Sequence, residues 1–200
     1  MAFTYFFRDF QTINLAVSHL IPTIQGRREI KIWDAGCAHG PEPYTLAIML
    51  SENMGTFAFK NVRIDASDID TSNLFRDTIE KGVYPLVELK RIPQPIFEKY
   101  FKKNGKEDYY IIDYSIRNRV KYYRHDLLTL KPIGYDYSFI LCKNVLLHFQ
   151  AEERIKVLKM FHQSLTPGGL LAMEHTQDLP KEVNHLFTRI ANGAQIYKRR

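Results

Sequence analysis

The chain reads as an α/β fold, a mostly parallel sheet with helices on both faces that is interrupted once by a small antiparallel β insertion. Three observations predict this. Short apolar runs alternate with helical patterns up to Lys81 and again from Asp136 onward, the mark of βα units feeding one sheet. The first run ends in a glycine loop that opens directly into a helix. Between Gly82 and Arg124 the alternation gives way to a proline-broken block rich in tyrosine and lysine.

The elements follow in order. Ile13, Leu15, Ala16, Leu20 and Ile21 recur at helical spacing, so an amphipathic helix is expected over 10–25, stopped near Pro22. Gly26 and two arginines lead into a first strand over 29–35. A helix over 41–54 has Pro41 at its first position, Glu42 in its first turn and Gly55 after its end. Its apolar residues Tyr44, Leu46, Ala47, Ile48 and Leu50 surround it, so it should be well buried. A second strand over 62–67 runs into Asp68-Ile-Asp70, and Thr71 or Ser72 should cap a helix reaching Lys81. Within the irregular block a short helix is expected over 96–101, a turn at Asn104-Gly105, and antiparallel strands over 109–114 and 120–124. Beyond it come a strand over 136–142, a helix over 152–165 with Ile155, Val157, Leu158 and Phe161 inward, a turn at Pro167-Gly-Gly169, a strand over 170–174 and a closing strand over 194–198.

Two hundred residues with 45% hydrophobic content fit one globular domain with a full core. No apolar run approaches the roughly 18 residues of a membrane span, so stable membrane insertion is not expected. The aromatic start lacks a basic n-region and a small-residue cleavage site, and the two cysteines, Cys37 and Cys142, offer neither a metal spacing nor a disulfide framework. A cytoplasmic protein without a metal is the expectation. The net charge of +6 suits an acidic macromolecular partner or simply a solvated surface, with the surface preferred.

Function turns on the loop Gly36-Cys-Ala-His-Gly40. A dinucleotide fingerprint needs G-x-G-x-x-G and an acid about 20 residues later; here the nearest strand-end acid, Asp68, lies further on. A phosphate-binding P-loop needs Gly-Lys-Ser/Thr, and Pro41 follows Gly40 instead. What remains is D-x-G-x-x-x-G after the first strand and an acid after the second. That pairing suits a nucleoside whose ribose wants a carboxylate and whose polar tail reaches the loop, with a purely structural tight turn as the alternative.

Several ordered motifs then point one way. Asp34-Ala-Gly-Cys-Ala-His-Gly-Pro-Glu-Pro-Tyr-Thr-Leu-Ala47 resembles the A-G-C-S-T-G-E-E-P-Y-S-L-A loop of the CheR-type chemoreceptor methyltransferases. Thr4-Tyr-Phe-Phe-Arg-Asp9 resembles that family's T-x-F-F-R-D/E segment, Ala66-Ser-Asp-Ile-Asp70 its A-S-D-I-D, and Cys142-Lys-Asn-Val145 its C-R-N-V. Gly82-Val-Tyr, Glu88-Leu and Tyr100-Phe101 match its β-subdomain, and Asp126-Leu-Leu128 stands where it has N-L-L. The resemblance covers nearly the whole chain.

It implies a Rossmann-like class I methyltransferase fold using S-adenosylmethionine and releasing S-adenosylhomocysteine. By that resemblance Glu42 would hydrogen-bond the methionine end of the cofactor, with Gly36 letting the backbone approach. Asp68 would hold the ribose, Asp126 and Leu127 would flank the adenine, and Lys143 and Asn144 would line the pocket floor. Thr4 and Arg8 would close over the reacting methyl. The implied acceptor is a glutamate on a chemoreceptor cytoplasmic domain, and Arg8 would fork onto its oxygens. Two departures stand out. His148 occupies the place of a tyrosine in the family's N-V-x-I-Y-F, where an imidazole that changes charge near neutral pH would position the acceptor and make turnover pH-sensitive. His39 replaces a threonine. The family's N-terminal helical domain is expected to be largely absent, leaving 1–28 as a helical lead-in and 29–200 as the methyltransferase domain with an 84–124 insertion. A different protein or small-molecule acceptor, and a non-catalytic cofactor- or peptide-binding module, are the alternatives. Nucleic-acid base methylation is disfavoured because no N/D-P-P-Y segment follows the fourth strand.

Overall fold

A computed structural model describes residues 4–105, 108–176 and 178–200. The first three residues of the expected lead-in, and two within the expected insertion, lie outside these. The main sheet is built from β1 (Ile30–Ala35), β2 (Val62–Asp68), β6 (Val120–Arg124), β7 (Tyr137–Cys142), β8 (Leu165–Met173), β9 (Phe187–Arg189) and β10 (Ile196–Arg199). The insertion carries β3 (Val83–Pro85), β4 (Phe101–Lys103) and β5 (Tyr109–Ile112). Seven helices, α1 (Phe10–Ile24), α2 (Pro41–Phe59), α3 (Phe75–Lys81), α4 (Leu86–Leu89), α5 (Gln94–Tyr100), α6 (Tyr114–Arg117) and α7 (Ala151–Ser164), complete the described elements apart from short 3₁₀ turns.

The main sheet runs β6-β2-β1-β7-β8-β10-β9. Its first five strands are parallel, and β10 lies antiparallel to both β8 and β9. Successive side chains on a strand face opposite ways, and the two cores show it. Ile30 and Ile32 of β1, Phe139 and Leu141 of β7, and Leu170 and Ala172 of β8 join the core under α1 and α2. Trp33, Ala35, Ile140, Cys142, Leu171 and Met173 join the second core under α7. Helices thus cover both faces, as the alternating pattern predicts. β3, β5 and β4 form the expected separate antiparallel sheet.

Several sequence expectations need correction. Val120–Arg124 is not an antiparallel strand of the insertion; it is the parallel edge of the main sheet, from Ile64↔Val120 to Asp68↔Arg124. Its Tyr122 is buried and bonds Asp70, which draws the segment onto β2. Helix α1 ends at Ile24, close to the expected stop, with Pro22 inside its last turn, where a proline forfeits a single backbone bond. Neither Thr71 nor Ser72 sits next to α3, which is preceded by Leu74, although Ser72 Oγ lies 3.4 Å from the Leu74 N–H. The Asp70 carboxylate holds its start, accepting from the backbone N–H of Leu74 (3.3 Å) and Phe75 (3.1 Å). Pro167-Gly-Gly169 is absorbed into β8 at an irregularity in its register with β7, and the strand expected over 109–114 ends at Ile112, where Asp113 caps α6. The edge strand β9 has no counterpart in the sequence reading.

Among the described residues no helix is long and apolar enough to cross a membrane.

Candidate cofactor site

Because β1, β2 and β7 are parallel neighbours, their carboxyl ends open on one side, where ligands of such sheets bind. The glycine loop is fastened there. The N–H groups of Gly36 and Cys37 donate to the Ser67 carbonyl (2.7 and 3.0 Å), and Ala38 N–H donates to the Asp68 carboxylate (3.0 Å). Gly36 has a left-handed φ of 107°, and a Cβ there would overlap the Val145 side chain. Gly40 caps α2 without a side chain, so the positive end of this helix faces the loop; its regular run is broken at Gly55 (φ 75°), where the sequence places its end.

A cavity of about 530 Å³ lies in front of this loop. Thr4 and Arg8 line it from the N-terminal segment, Gly36 and Glu42 from the loop and α2, Asp68 from β2, and Lys143, Asn144 and His148 from the turn after β7. Eight sequence-predicted residues therefore converge. Ala38, Val145 and Leu147 also line it; they are ordinary apolar residues whose only signal in the sequence is adjacency to the motifs.

The N-terminal segment is held over the site by its own contacts. Phe6 is fully buried, edge-on to Tyr84 (4.9 Å) and Phe101 (5.6 Å) of the insertion. Phe7 N–H donates to the Thr45 hydroxyl (3.0 Å), and the Arg91 guanidinium sits 4.0 Å over the Tyr5 ring. Lys143 is buried, and its Nζ donates to Asp9 at 2.7 Å, with Arg8 Nε 3.9 Å from the same carboxylate. Lys143 therefore does more than line a floor: it ties the segment to the end of β7.

Asp68 spreads its carboxylate between two backbone donors, Ala38 N–H and Asp70 N–H (both 3.0 Å), so its position is set by the loop. Behind the loop, Asp34 is fully enclosed. Burial, then the charges of Glu42 and Asp68, push its carboxyl well above the usual range. Glu42 is raised to about 7 by burial, against the lowering pull of Lys143, of a hydrogen bond from Asp34 and of Arg8.

Asp126 and Leu127 do not line this cavity. The Asp126 carboxylate accepts from Leu128 N–H (2.9 Å) and Leu127 is buried in the second core, although His125 N–H bonds the Asp68 carbonyl (2.8 Å) and keeps the segment beside β2. His148 is exposed at the rim, in a single 3₁₀ turn. His39 turns toward the insertion, 3.0 Å from the Glu88 carboxylate.

The residues present suit a cationic amino acid joined to a nucleoside. A helix N-terminus could meet a carboxylate, Glu42 an ammonium group and Asp68 a ribose, and the missing side chain at Gly36 leaves the backbone bare. Fold and site together define a class I methyltransferase that uses S-adenosylmethionine. The fold is shared with the TehB-like SAM-dependent methyltransferase from Corynebacterium glutamicum, at 14% identity and a TM-score of 0.50 over 92% of this chain and 85% of that one. The chain belongs to the CheR methyltransferase family, whose SAM-binding domain it matches over residues 2–195. It is 32% identical to chemotaxis protein methyltransferase 2 of Pseudomonas aeruginosa, over 97% of this chain and 68% of that protein. It is likewise 32% identical to the chemotaxis protein methyltransferase of Listeria innocua, over 94% and 69%, and 29% identical to chemotaxis protein methyltransferase 2 of Vibrio cholerae, over 98% and 69%.

Proposed function

We propose that this methyltransferase esterifies glutamate side chains on the cytoplasmic domain of a chemoreceptor, with its cofactor in the cavity at the ends of β1, β2 and β7. The observation that carries this reading is the convergence of Arg8, Glu42, Asp68 and Asn144 on that cavity in a chain of the CheR family. Bound S-adenosylmethionine supplies an electrophilic methyl group on a sulfonium. A glutamate with a pKa of about 4.3 is ionised at neutral pH, so no general base is needed. The protein's task is to bring the carboxylate oxygen into line and exclude water. Arg8, placed by the Lys143–Asp9 contact beside it, is the group that orients that carboxylate. His148 at the rim positions the acceptor where it enters. Glu42 takes the methionine end, Asp68 the ribose, and the Asp126–Leu127 turn the far side of the adenine. Residues 29–200 form the methyltransferase unit with its 84–124 insertion, and 1–28 the lead-in that covers the site. The setting is the cytoplasm.

Incubation with methyl-labelled S-adenosylmethionine and purified receptor cytoplasmic fragments tests the acceptor. The expected result is label on the receptor that mild base releases as volatile methanol, because a carboxyl methyl ester hydrolyses readily. Cofactor binding with no base-labile label on any receptor fragment would assign the methyl to another protein or a small molecule.

A further inference from the structure

We infer that Asp34 and Glu42 form a hydrogen-bonded carboxyl pair in which Asp34 carries the proton, and that Asp34 thereby positions Glu42 and sets the charge it presents to the cofactor's α-ammonium group. This rests on the placement of the cofactor proposed above.

The geometry leaves little choice. Asp34 sits at the end of β1 with no exposed surface, and neither of its oxygens meets an N–H donor among the described residues. The group it contacts is the Glu42 carboxyl, reaching back from the first turn of α2. Two neighbouring carboxyls, one of them fully buried without a donor and the other at the cavity edge, do not both stay ionised. Lys143, the only buried cation among the described residues, is already 2.7 Å from Asp9. A proton must therefore sit between the two carboxyls. It belongs on Asp34, because Glu42 borders the cavity, lies at the positive end of α2 and feels Arg8 and Lys143. The other groups facing the pair are Asp9 from the N-terminal segment, Asp68 from β2, and the buried thiols of Cys37 and Cys142, with His148 across the cavity.

A single-proton pair has one negative charge, which suits one ammonium group. Below about pH 7 the pair takes up a second proton at Glu42. A bound ammonium opposes that, so binding expels the second proton to solvent and weakens as pH falls.

The test is calorimetric titration with S-adenosylhomocysteine, which keeps the α-amino acid end, in buffers of different ionisation enthalpy. Nearly one proton should be released per ligand at about pH 6 and almost none at about pH 8, with affinity falling up to tenfold per pH unit below about 7. In Asp34→Asn the amide still donates to Glu42 in place of the protonated acid, so the proton release and the loss of affinity at low pH, which belong to Glu42, should persist. Infrared spectra of the ligand-free protein give an independent reading. A neutral carboxylic acid band should persist at about pH 8 in the parent chain and vanish in Asp34→Asn. Binding without proton release, or no neutral acid band, would overturn the pair alone. Failure to bind at every pH would overturn the cofactor placement as well.

Discussion

Two cavities of nearly equal size lie at opposite ends of β1 and α2. One, about 530 Å³, is the proposed cofactor site; the other, about 570 Å³, is lined by Ile21, Ile24, Ile30, Met54 and Phe57 together with Arg27 and Arg28. Volume does not separate them, but chemistry does. At the carboxyl end of β1, charged groups from four segments converge on a helix N-terminus across a bare glycine. At the other end the lining is mostly apolar, and two of its polar groups are already bonded: Asn61 donates to the Arg27 carbonyl (3.1 Å) and Arg27 to Ser138 (3.2 Å). Phe57 is left 87% exposed. Direction of the chain, not the presence of a hollow, decides which end can hold a zwitterionic nucleoside.

The contrast can be attacked in order of expected effect. Gly36→Ala should be the most damaging, because its Cβ must displace Val145 and adopt a φ that L residues avoid. Overpacking of about 1–3 kcal/mol together with that strain predicts a loss of cofactor affinity of roughly 100-fold or more in equilibrium binding. Asp68→Asn keeps the shape but turns an amide N–H toward a backbone donor; loss of a buried acceptor worth about 1–3 kcal/mol predicts a drop of about 10- to 100-fold. His148→Tyr should leave cofactor affinity within about threefold, since the side chain lies at the rim, yet change the KM for the receptor fragment. An unchanged KM would remove His148 from acceptor positioning. Phe57→Ser, at the opposite cavity, should change neither binding nor, beyond about 0.5 kcal/mol, stability.

The same division explains what was legible in the sequence. Around the cofactor site local signals agree: an apolar run, a glycine loop, a proline at the first helical position and an acid after the next strand. There β1, α2 and β2 could be placed, and eight of the predicted residues meet. The misreadings fall where tertiary contacts decide. Val120–Arg124 has an alternating pattern that fits either sheet, and only the buried Tyr122–Asp70 contact assigns it to the main one. Nothing local shows that the Asp70 carboxylate holds the start of α3. Asp126 and Leu127 stand outside the cavity lining, with the Asp126 carboxylate capping its own turn, so a place beside the adenine rests on the resemblance alone. Asp34 was visible as an acid before a glycine, but its pairing with Glu42 needed the strand and the helix set side by side.

The central claim is that the cofactor occupies the cavity at the carboxyl end of β1. Equilibrium dialysis of labelled S-adenosylmethionine against the parent chain, Asp68→Asn and Phe57→Ser tests it directly. One site per chain is expected, weakened about 10- to 100-fold by Asp68→Asn and held within about twofold by Phe57→Ser. Undiminished binding in Asp68→Asn, or its loss in Phe57→Ser, would contradict the placement.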